Sequence, residues 1–281
     1  MKSWHLIIDV EKCENCNNCF LACKDEHVNN DWPGYAAPQS GQGPTWISIE
    51  GIERGQHPFI DVAYLPVTCM HCTRPACRSA AKEGAIYKRP DGIVIIDPIK
   101  AKGQRALIEA CPYGAIRWNE DLQIAQKCTL CAHLLDKGWT QTRCTQSCPT
   151  GALTLKYVED GEMQKMVAGE KLEPYAPEHD CDPSVYYKNL YRFTRCFIGG
   201  SLAVKVAGKD ECAEGAKIIL LDGTGKIAGE TVSDNYGDFK FDNLMENSGR
   251  YTLRINFPGH EIKTVEANLA KSLYLGIILL Q

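Results

Sequence analysis

The sequence predicts an α+β protein with a cysteine-rich N-terminal domain followed by a small antiparallel β-domain. Its 281 residues are enough for about two domains, each large enough to bury its own core. Twelve of its 15 cysteines lie between residues 13 and 148, whereas the chain after about residue 200 alternates apolar and polar residues between Gly, Asn and Asp turns. We therefore expect domains at 1–156 and 200–281, joined by a connector at 157–199.

Composition and charge argue against nucleic acid as a partner. Hydrophobic residues make up 44% of the chain, charged residues 23%, and the formal net charge is −4, which is ordinary for a globular protein. The apolar run at 273–280 is far shorter than the roughly 20 residues that span a bilayer. The start reaches Asp9 too soon for the core of a signal peptide, so we expect no membrane segment and no export signal of its own.

The cysteines of the first domain fall into closely spaced groups. The first group has the spacing of bacterial ferredoxins, in which three thiolates bind one iron–sulfur cubane and the fourth reaches a different cluster. The groups are Cys13-x2-Cys16-x2-Cys19-x3-Cys23, then Cys69-x2-Cys72-x4-Cys77 with a distant Cys111-Pro112, then Cys128-x2-Cys131-x12-Cys144-x3-Cys148-Pro149.

Structural zinc sites and disulfides are the alternatives to iron–sulfur clusters. A closed zinc site takes four ligands that are near in sequence or paired across a hairpin. The first group instead offers four thiols in one short loop, with Cys-Pro partners elsewhere in the chain. This pattern favours [4Fe–4S] clusters over both alternatives, and it implies assembly in a reducing compartment because the ligands must be thiolates.

Internal repeats suggest how the cysteines combine. The stretch 7–13 (IIDVEKC) aligns with 95–101 (IIDPIKA), which places Cys23 over Cys111 but puts no cysteine opposite the first three. A second repeated motif occurs as CPYGAI, beginning at Cys111, and as CPTGAL, beginning at Cys148. A degenerate copy, AKEGAI, begins at Ala81. The first domain therefore derives from four groups, of which one has lost its thiols.

Ferredoxin-type exchange of the fourth ligand then gives three complete sets and one erased set. The first set is Cys13, Cys16, Cys19 and Cys148; the second set is Cys128, Cys131, Cys144 and Cys23; the third set is Cys69, Cys72, Cys77 and Cys111; the erased set is Ala101, Gln104, Leu107 and Ala81. The prediction is three [4Fe–4S] clusters in a tandem ferredoxin-like domain.

Several residues near these groups have less definite roles. Cys181, Cys196 and Cys212 belong to no set and are interpreted as free thiols, since free cysteine packs as a small hydrophobe. His71 is interpreted as a surface histidine, the alternative being a hydrogen-bond donor or proton carrier for a cluster. Lys24 and Arg78 each follow a candidate ligand and would raise cluster potentials unless they are ordinary solvated cations.

The connector contains three prolines that prevent a long helix and an aromatic run at 186–193. It is either a tether packed on its own protein or a surface that wraps on a partner.

The last domain is predicted to have strands at 202–206, 217–221, 227–232, 238–241, 250–257, 261–266 and 272–279. Turns at 222–225, 234–237 and 258–260 would join them into an antiparallel sandwich or barrel. The segments 214–218, 231–234 and 237–241 resemble transthyretin-like domains, which implies a fold and no activity.

Four-cysteine cubanes have no open iron position for a substrate, so the predicted role is electron transfer without a catalytic residue on this chain. The four-group layout resembles the iron–sulfur subunits of the dimethyl-sulfoxide-reductase family. The missing cluster, the β-domain and the segments 16–20, 31–35, 69–72 and 185–193 resemble the small subunits of the pyrogallol–phloroglucinol transhydroxylase and resorcinol hydroxylase type. That resemblance implies a heterodimer with a large catalytic subunit that holds molybdenum or tungsten on two pterin guanine dinucleotides. The partner would transfer or add hydroxyl groups on polyhydroxylated benzenes.

Two other functions stay open at the level of sequence. One is the electron-transfer subunit of a respiratory molybdoenzyme with a small inorganic or sulfur substrate; the other is a free-standing polyferredoxin. The β-domain disfavours the first, and a large subunit that co-purifies with the chain would exclude the second. The expected location is the cytoplasm, or the periplasm if the partner carries the chain across the membrane.

Overall fold

The chain divides into two units that alternate along the sequence. The computed structural model describes residues 1–281. The first unit comprises residues 1–51 and 64–190, and the second comprises residues 52–63 and 191–281. A long β-hairpin, formed by β2 (Ile47–Gln56) and β3 (Phe59–Thr68), therefore contributes its base to the first unit and its tip to the second.

The first unit is organised by a sheet whose central strand is the N-terminal strand β1. Leu6, Ile7 and Ile8 are all buried, as expected for a strand covered on both faces. Strand β8 pairs with β1 antiparallel and strand β9 pairs with it in parallel. The elements of this unit and the hairpin are β1 Lys2–Asp9, α1 Asn18–His27, β2 Ile47–Gln56, β3 Phe59–Thr68, α2 Ala76–Ala80, β4 Ile86–Lys88, β5 Val94–Ile96, β6 Arg117–Asn119, β7 Ile124–Gln126, α3 Ala132–Leu135, α4 Arg143–Gln146, β8 Leu153–Glu159, α5 Asp160–Glu170 and β9 Val185–Lys188.

The three copies of the second repeated motif adopt the same local structure. Each copy contains a glycine in the left-handed region, at Gly84, Gly114 and Gly151, with φ of 68°, 58° and 65°. Each glycine lies two or three residues before a strand, at β4, β6 and β8. Glycine adopts this conformation without the steric penalty of a side chain, so the repeat marks three equivalent turns that lead from a loop into a strand.

The second unit consists of two four-stranded sheets over a common apolar core. The elements are α6 Tyr191–Thr194, β10 Cys196–Val206, β11 Lys209–Cys212, β12 Lys217–Asp222, β13 Ile227–Val232, β14 Asp238–Leu244, β15 Gly249–Asn256, β16 Lys263–Leu269 and β17 Leu273–Leu280. One sheet has the order β11-β10-β14, with β17 parallel to β10, and the other has the order β13-β12-β15-β16. Side chains of both sheets meet in one buried cluster that includes Ile198, Leu220, Phe239 and Leu253.

All seven strands predicted for this domain are present, and the strand at 227–232 has its predicted bounds. Strand β10 begins six residues earlier than expected, and the exposed strand β11 was not predicted. The sheets do not close into a barrel.

One of the predicted turns, at 234–237, is fixed by its sequence. Asp234 accepts the backbone N–H groups of Tyr236 and Asp238, each at 2.9 Å. A Cβ on Gly237 would lie 2.3 Å from the Leu202 oxygen, so only glycine fits there.

A buried network of charges connects the hairpin tip with the rest of the second unit. Arg54 donates to Asp242 at 2.9 and 3.1 Å and also to Asp61, and its side chain is only 3% exposed. Asp61 is also paired with Lys240 at 2.8 Å and Arg192 at 2.9 Å. This network fixes residues 52–63 to strand β14 and helix α6 within the second unit.

The expected connector is largely structured. Residues 160–170 form α5, residues 185–188 form β9 and residues 191–194 form α6. Its residues up to 190 belong to the first unit. No helix of the chain is both long enough and apolar enough to cross a membrane.

Candidate iron–sulfur sites

The twelve candidate ligands lie in loops and at the ends of short helices of the first unit. The ferredoxin-type loop turns through Asn15 and Asn17, which adopt positive φ of 54° and 60°, before α1 presents Cys19 and Cys23. Asparagine tolerates this conformation better than most residues. The other two Cys-x2-Cys loops also turn through left-handed residues, at His71 and at Leu130. These turns give the loops the curvature that directs several sulfurs to one side.

The four thiols of the predicted first set influence one another's ionisation. Burial, with smaller contributions from the thiols of Cys13, Cys16 and Cys148, raises the pKa of Cys19 to about 11. Cys148 has the opposite shift: N–H groups of residues 150, 152 and 153 and the Thr150 hydroxyl lower its pKa more than burial raises it. Cys16 is exposed and Cys13 half-buried, so this set lies near the surface.

The second set lines one enclosed cavity together with His27 and Trp46. Burial raises the pKa of Cys23 well above its usual value, and each of its three predicted partners adds to the shift. The Leu130 N–H donates to Cys128 Sγ at 3.3 Å, and Thr142 Oγ1 lies 3.1 Å from Cys144 Sγ. The members of the set are Cys23, Cys128, Cys131 and Cys144.

The third set lines a second enclosed cavity. Burial raises the pKa of Cys77 to about 12, with Cys69 and Cys111 among the neighbours that add to it. The His71 N–H donates to Cys69 Sγ and the Ala115 N–H to Cys111 Sγ, each at 3.4 Å. The members of the set are Cys69, Cys72, Cys77 and Cys111.

These three sets fit [4Fe–4S] clusters in their donor chemistry. Buried thiols resist ionisation, whereas bound iron stabilises the thiolate, and backbone N–H groups that donate to sulfur do so as well. Each set contains at least one such N–H donor. The four thiols of a cubane bind four different irons, so they do not need to converge on one point. A single metal ion, by contrast, needs at least three such side chains close together, and the chain has no group of that kind.

Thiols of different sets influence one another. The thiol of Cys19, from the first set, raises the pKa of Cys144, from the second. The thiol of Cys69, from the third set, raises the pKa of Cys128, also from the second. The second set thus interacts with both of the others.

The erased set also comes together, but as apolar core and amide contacts. Ala101 and Leu107 are fully buried in one hydrophobic cluster, and Ala81 packs against it. Gln104 accepts the Lys82 N–H at 2.9 Å and donates to the Lys100 oxygen at 2.7 Å. Side chains fill the place that the alignment gives to a fourth cluster.

Three residues near the sites differ from the sequence analysis or were missed by it. The interpretation of His71 as a surface residue is wrong: it is 2% exposed, its Nδ1 accepts the Val94 N–H at 3.1 Å, and burial depresses its pKa. Cys181 lies in the wall of the third cavity, and buried Lys127 lines the same cavity. Neither follows from cysteine spacing, because loops that are distant in sequence bring them there.

Comparisons with known proteins identify the chain as an iron–sulfur protein. Residues 60–158 match the family model of a 4Fe-4S dicluster domain. The pyrogallol hydroxytransferase small subunit of Pelobacter acidigallici is 43% identical over 281 residues, which cover 99% of each chain. The dimethylsulfide dehydrogenase subunit beta of Rhodovulum sulfidophilum is 38% identical over 52% of this chain and 45% of its own. A probable anaerobic dimethyl sulfoxide reductase chain of Escherichia coli is 32% identical over 64% of this chain and 86% of its own.

The major pilin subunit of Bacillus cereus resembles the chain only weakly. The likeness covers 34% of this chain and 31% of the pilin at 17% identity and a TM-score of 0.25. That likeness supports no assignment of the second unit. The identity over the full length carries the assignment instead: the chain belongs to the family of iron–sulfur small subunits represented by that of pyrogallol hydroxytransferase.

Proposed function

We propose that the chain carries three [4Fe–4S] clusters and transfers electrons one at a time for a large catalytic subunit. The ligands would be the three thiol sets defined above. The observation that carries this proposal is the grouping of all twelve thiols into three fours, two of which line enclosed cavities. Twelve thiolates also favour a reducing compartment, so we expect a cytoplasmic location.

The clusters, when bound, supply one-electron redox chemistry with no open position for a substrate. The chain's own residues would hold them in a row in the order first, second and third, which the electrostatic influence of Cys19 on Cys144 and of Cys69 on Cys128 supports. In the second and third sets, the N–H donors of Leu130 and Ala115 stabilise sulfur charge. The row is a path for electrons rather than an active site.

We propose that the partner is a large subunit with molybdenum or tungsten on two pterin guanine dinucleotides, which transfers or adds hydroxyl groups on polyhydroxylated benzenes. Support comes from the relative named as a pyrogallol hydroxytransferase subunit, which matches both units at 43% identity. The dimethylsulfide dehydrogenase relative matches only 52% of the chain. A respiratory role is therefore less well supported than a role in aromatic hydroxylation.

The second unit is proposed to be a transthyretin-like sandwich that docks on the partner or shields the clusters. Its two sheets and apolar core fit such a sandwich. Its conspicuous charged network is closed by ion pairs of its own, so it offers no evident catalytic group. The residues of the connector 157–199 are a second candidate surface for the partner.

The experiment is anaerobic purification of the complex, followed by assays with pyrogallol, phloroglucinol and resorcinol. Activity should require the large subunit, and the small subunit alone should be inactive. A chain shortened to residues 1–200 should keep its iron but bind the partner less tightly. Turnover by the isolated chain would refute the electron-transfer role, and an unaltered complex after the truncation would refute docking by the second unit.

A further inference from the structure

Lys127 is a buried cation without an anionic side-chain partner. It follows strand β7 directly and precedes Cys128, and it is only 3% exposed. Its ammonium group donates to the carbonyl oxygens of Val94 and Cys128, the latter at 3.0 Å. No carboxylate lies within ion-pair distance of it.

Such a position is costly unless negative charge is close by. Removing an ammonium ion from water is unfavourable, and buried charges in proteins are accordingly paired or hydrogen-bonded. Two neutral carbonyl groups offset only part of this cost. The remaining compensation must come from another anionic group near Lys127.

The groups near Lys127 that become anionic when iron is bound are the candidate cluster ligands. Lys127 lines the cavity of the third set together with Cys77 and Cys111. It does not line the cavity of the second set, although it precedes Cys128 in the sequence. Its charge is therefore placed to act mainly on the third set.

We propose that Lys127 is the internal counter-ion of the third cluster and raises its reduction potential above that of the same cluster without the lysine. This inference rests on the proposed cluster assignment. Reduction adds one negative charge to a cluster, so a fixed ammonium nearby stabilises the reduced state more than the oxidised state. The surrounding protein and the distance from bulk solvent keep salt from screening the interaction.

The other lysines near the sites are placed differently. Lys24, next to Cys23, is half-buried, and its ammonium donates to the oxygens of Ser40 and Gly43 in a loop near the surface. Lys88 is also only half-buried and donates to the oxygens of His71 and Cys72. Solvent screens such charges, so Lys127 should have the largest effect of the three. As a result, Lys127 raises the reduction potential of the third cluster, at one end of the row, more than those of the other two clusters.

The test is potentiometric titration of the intact complex, with the reduced clusters followed by electron paramagnetic resonance. Lys127→Met removes the charge while keeping most of the side-chain volume, Lys127→Arg restores a cation, and Lys24→Met is the matched control. Cluster signals are assigned beforehand with Cys111→Ser for the third cluster and Cys148→Ser for the first. The iron content of the wild-type complex tests the proposed clusters, independently of the role of Lys127.

Lys127→Met should keep wild-type iron and lower the equilibrium constant for reduction of the third cluster at least tenfold, which is 59 mV for a one-electron couple. The first cluster should not change, Lys127→Arg should recover most of the shift, and Lys24→Met should leave the third cluster unaffected. An unchanged third potential, or an equal shift of all three clusters, would overturn the proposal. If Lys127→Met loses iron, the same comparison is made with Lys127→Gln, whose amide can still donate to the Val94 oxygen.

Discussion

Replacing Arg54 with methionine removes the central cation of the network in the second unit. Asp61 and Asp242 would lose a nearly fully buried partner, although Lys240 still contacts both of them, at 2.8 and 2.9 Å. Breaking a buried ion pair from one side costs about 3–5 kcal/mol. Because the aspartates keep Lys240, we expect the lower end of that range, about 3 kcal/mol.

For a unit of about 100 residues, this loss corresponds to a fall in Tm of about 10 °C or more. Anaerobic differential scanning calorimetry of the full chain measures it, and iron content reports separately on the clusters. Arg254→Met is the control because Arg254 is exposed on β15. The reasoning fails if Arg54→Met lowers Tm by no more than the control does, or if Arg54→Lys, which keeps only the charge, is fully stable.

Three further predictions concern the ligands and the charges. Cys148→Ala and Cys23→Ala should each disturb one cluster, and not the same one, in electron paramagnetic resonance spectra; loss of a common signal would exclude the exchange of fourth ligands. Cys181→Ala should keep all the iron of the wild type, because Cys181 is assigned to no set, and a loss of about four irons would make it a ligand. The pKa of Asp61 is about 2 in the folded chain, below its usual 3.8, because Lys240 and Arg54 stabilise the carboxylate against the opposing effect of burial. Its stabilisation, about 2 kcal/mol, is thus present above pH 4 and lost as the pH falls towards 2. Denaturant unfolding of the second unit should show less acid sensitivity in Asp61→Asn, and equal sensitivity would contradict this assignment.

Cysteine spacing and the internal repeat were enough to define candidate ligand sets, and these sets remain predictions. A Cys-x2-Cys loop has little conformational freedom once it must direct its thiols to one cluster, so its sequence strongly restricts its geometry. The alignment of Cys23 with Cys111, together with the ferredoxin-type exchange of the fourth ligand, assigned one distant thiol to each loop. In the structure Ala81, Ala101 and Leu107, which the alignment places where a fourth set has lost its thiols, lie in one apolar cluster.

Long-range packing was not predictable by the same reasoning. Nothing in the sequence between 47 and 68 indicates that the tip of the β2–β3 hairpin belongs to the second unit. The burial of His71 depends on a contact with Val94, and that of Cys181 on the path of the chain after α5. These features arise from tertiary contacts between segments far apart in sequence. Cysteine spacing and the local alternation of apolar and polar residues do not predict such contacts.

The central claim is that the chain holds three [4Fe–4S] clusters, with apolar core where a fourth would be. The most direct measurement is the iron and acid-labile sulfide content of the small subunit, taken from the anaerobically purified complex and combined with spin quantitation of the reduced sample. The account predicts about twelve irons, about twelve sulfides and three one-electron signals per chain. Sixteen irons would contradict the erased set, and four or eight in a fully loaded sample would contradict the ligand assignment.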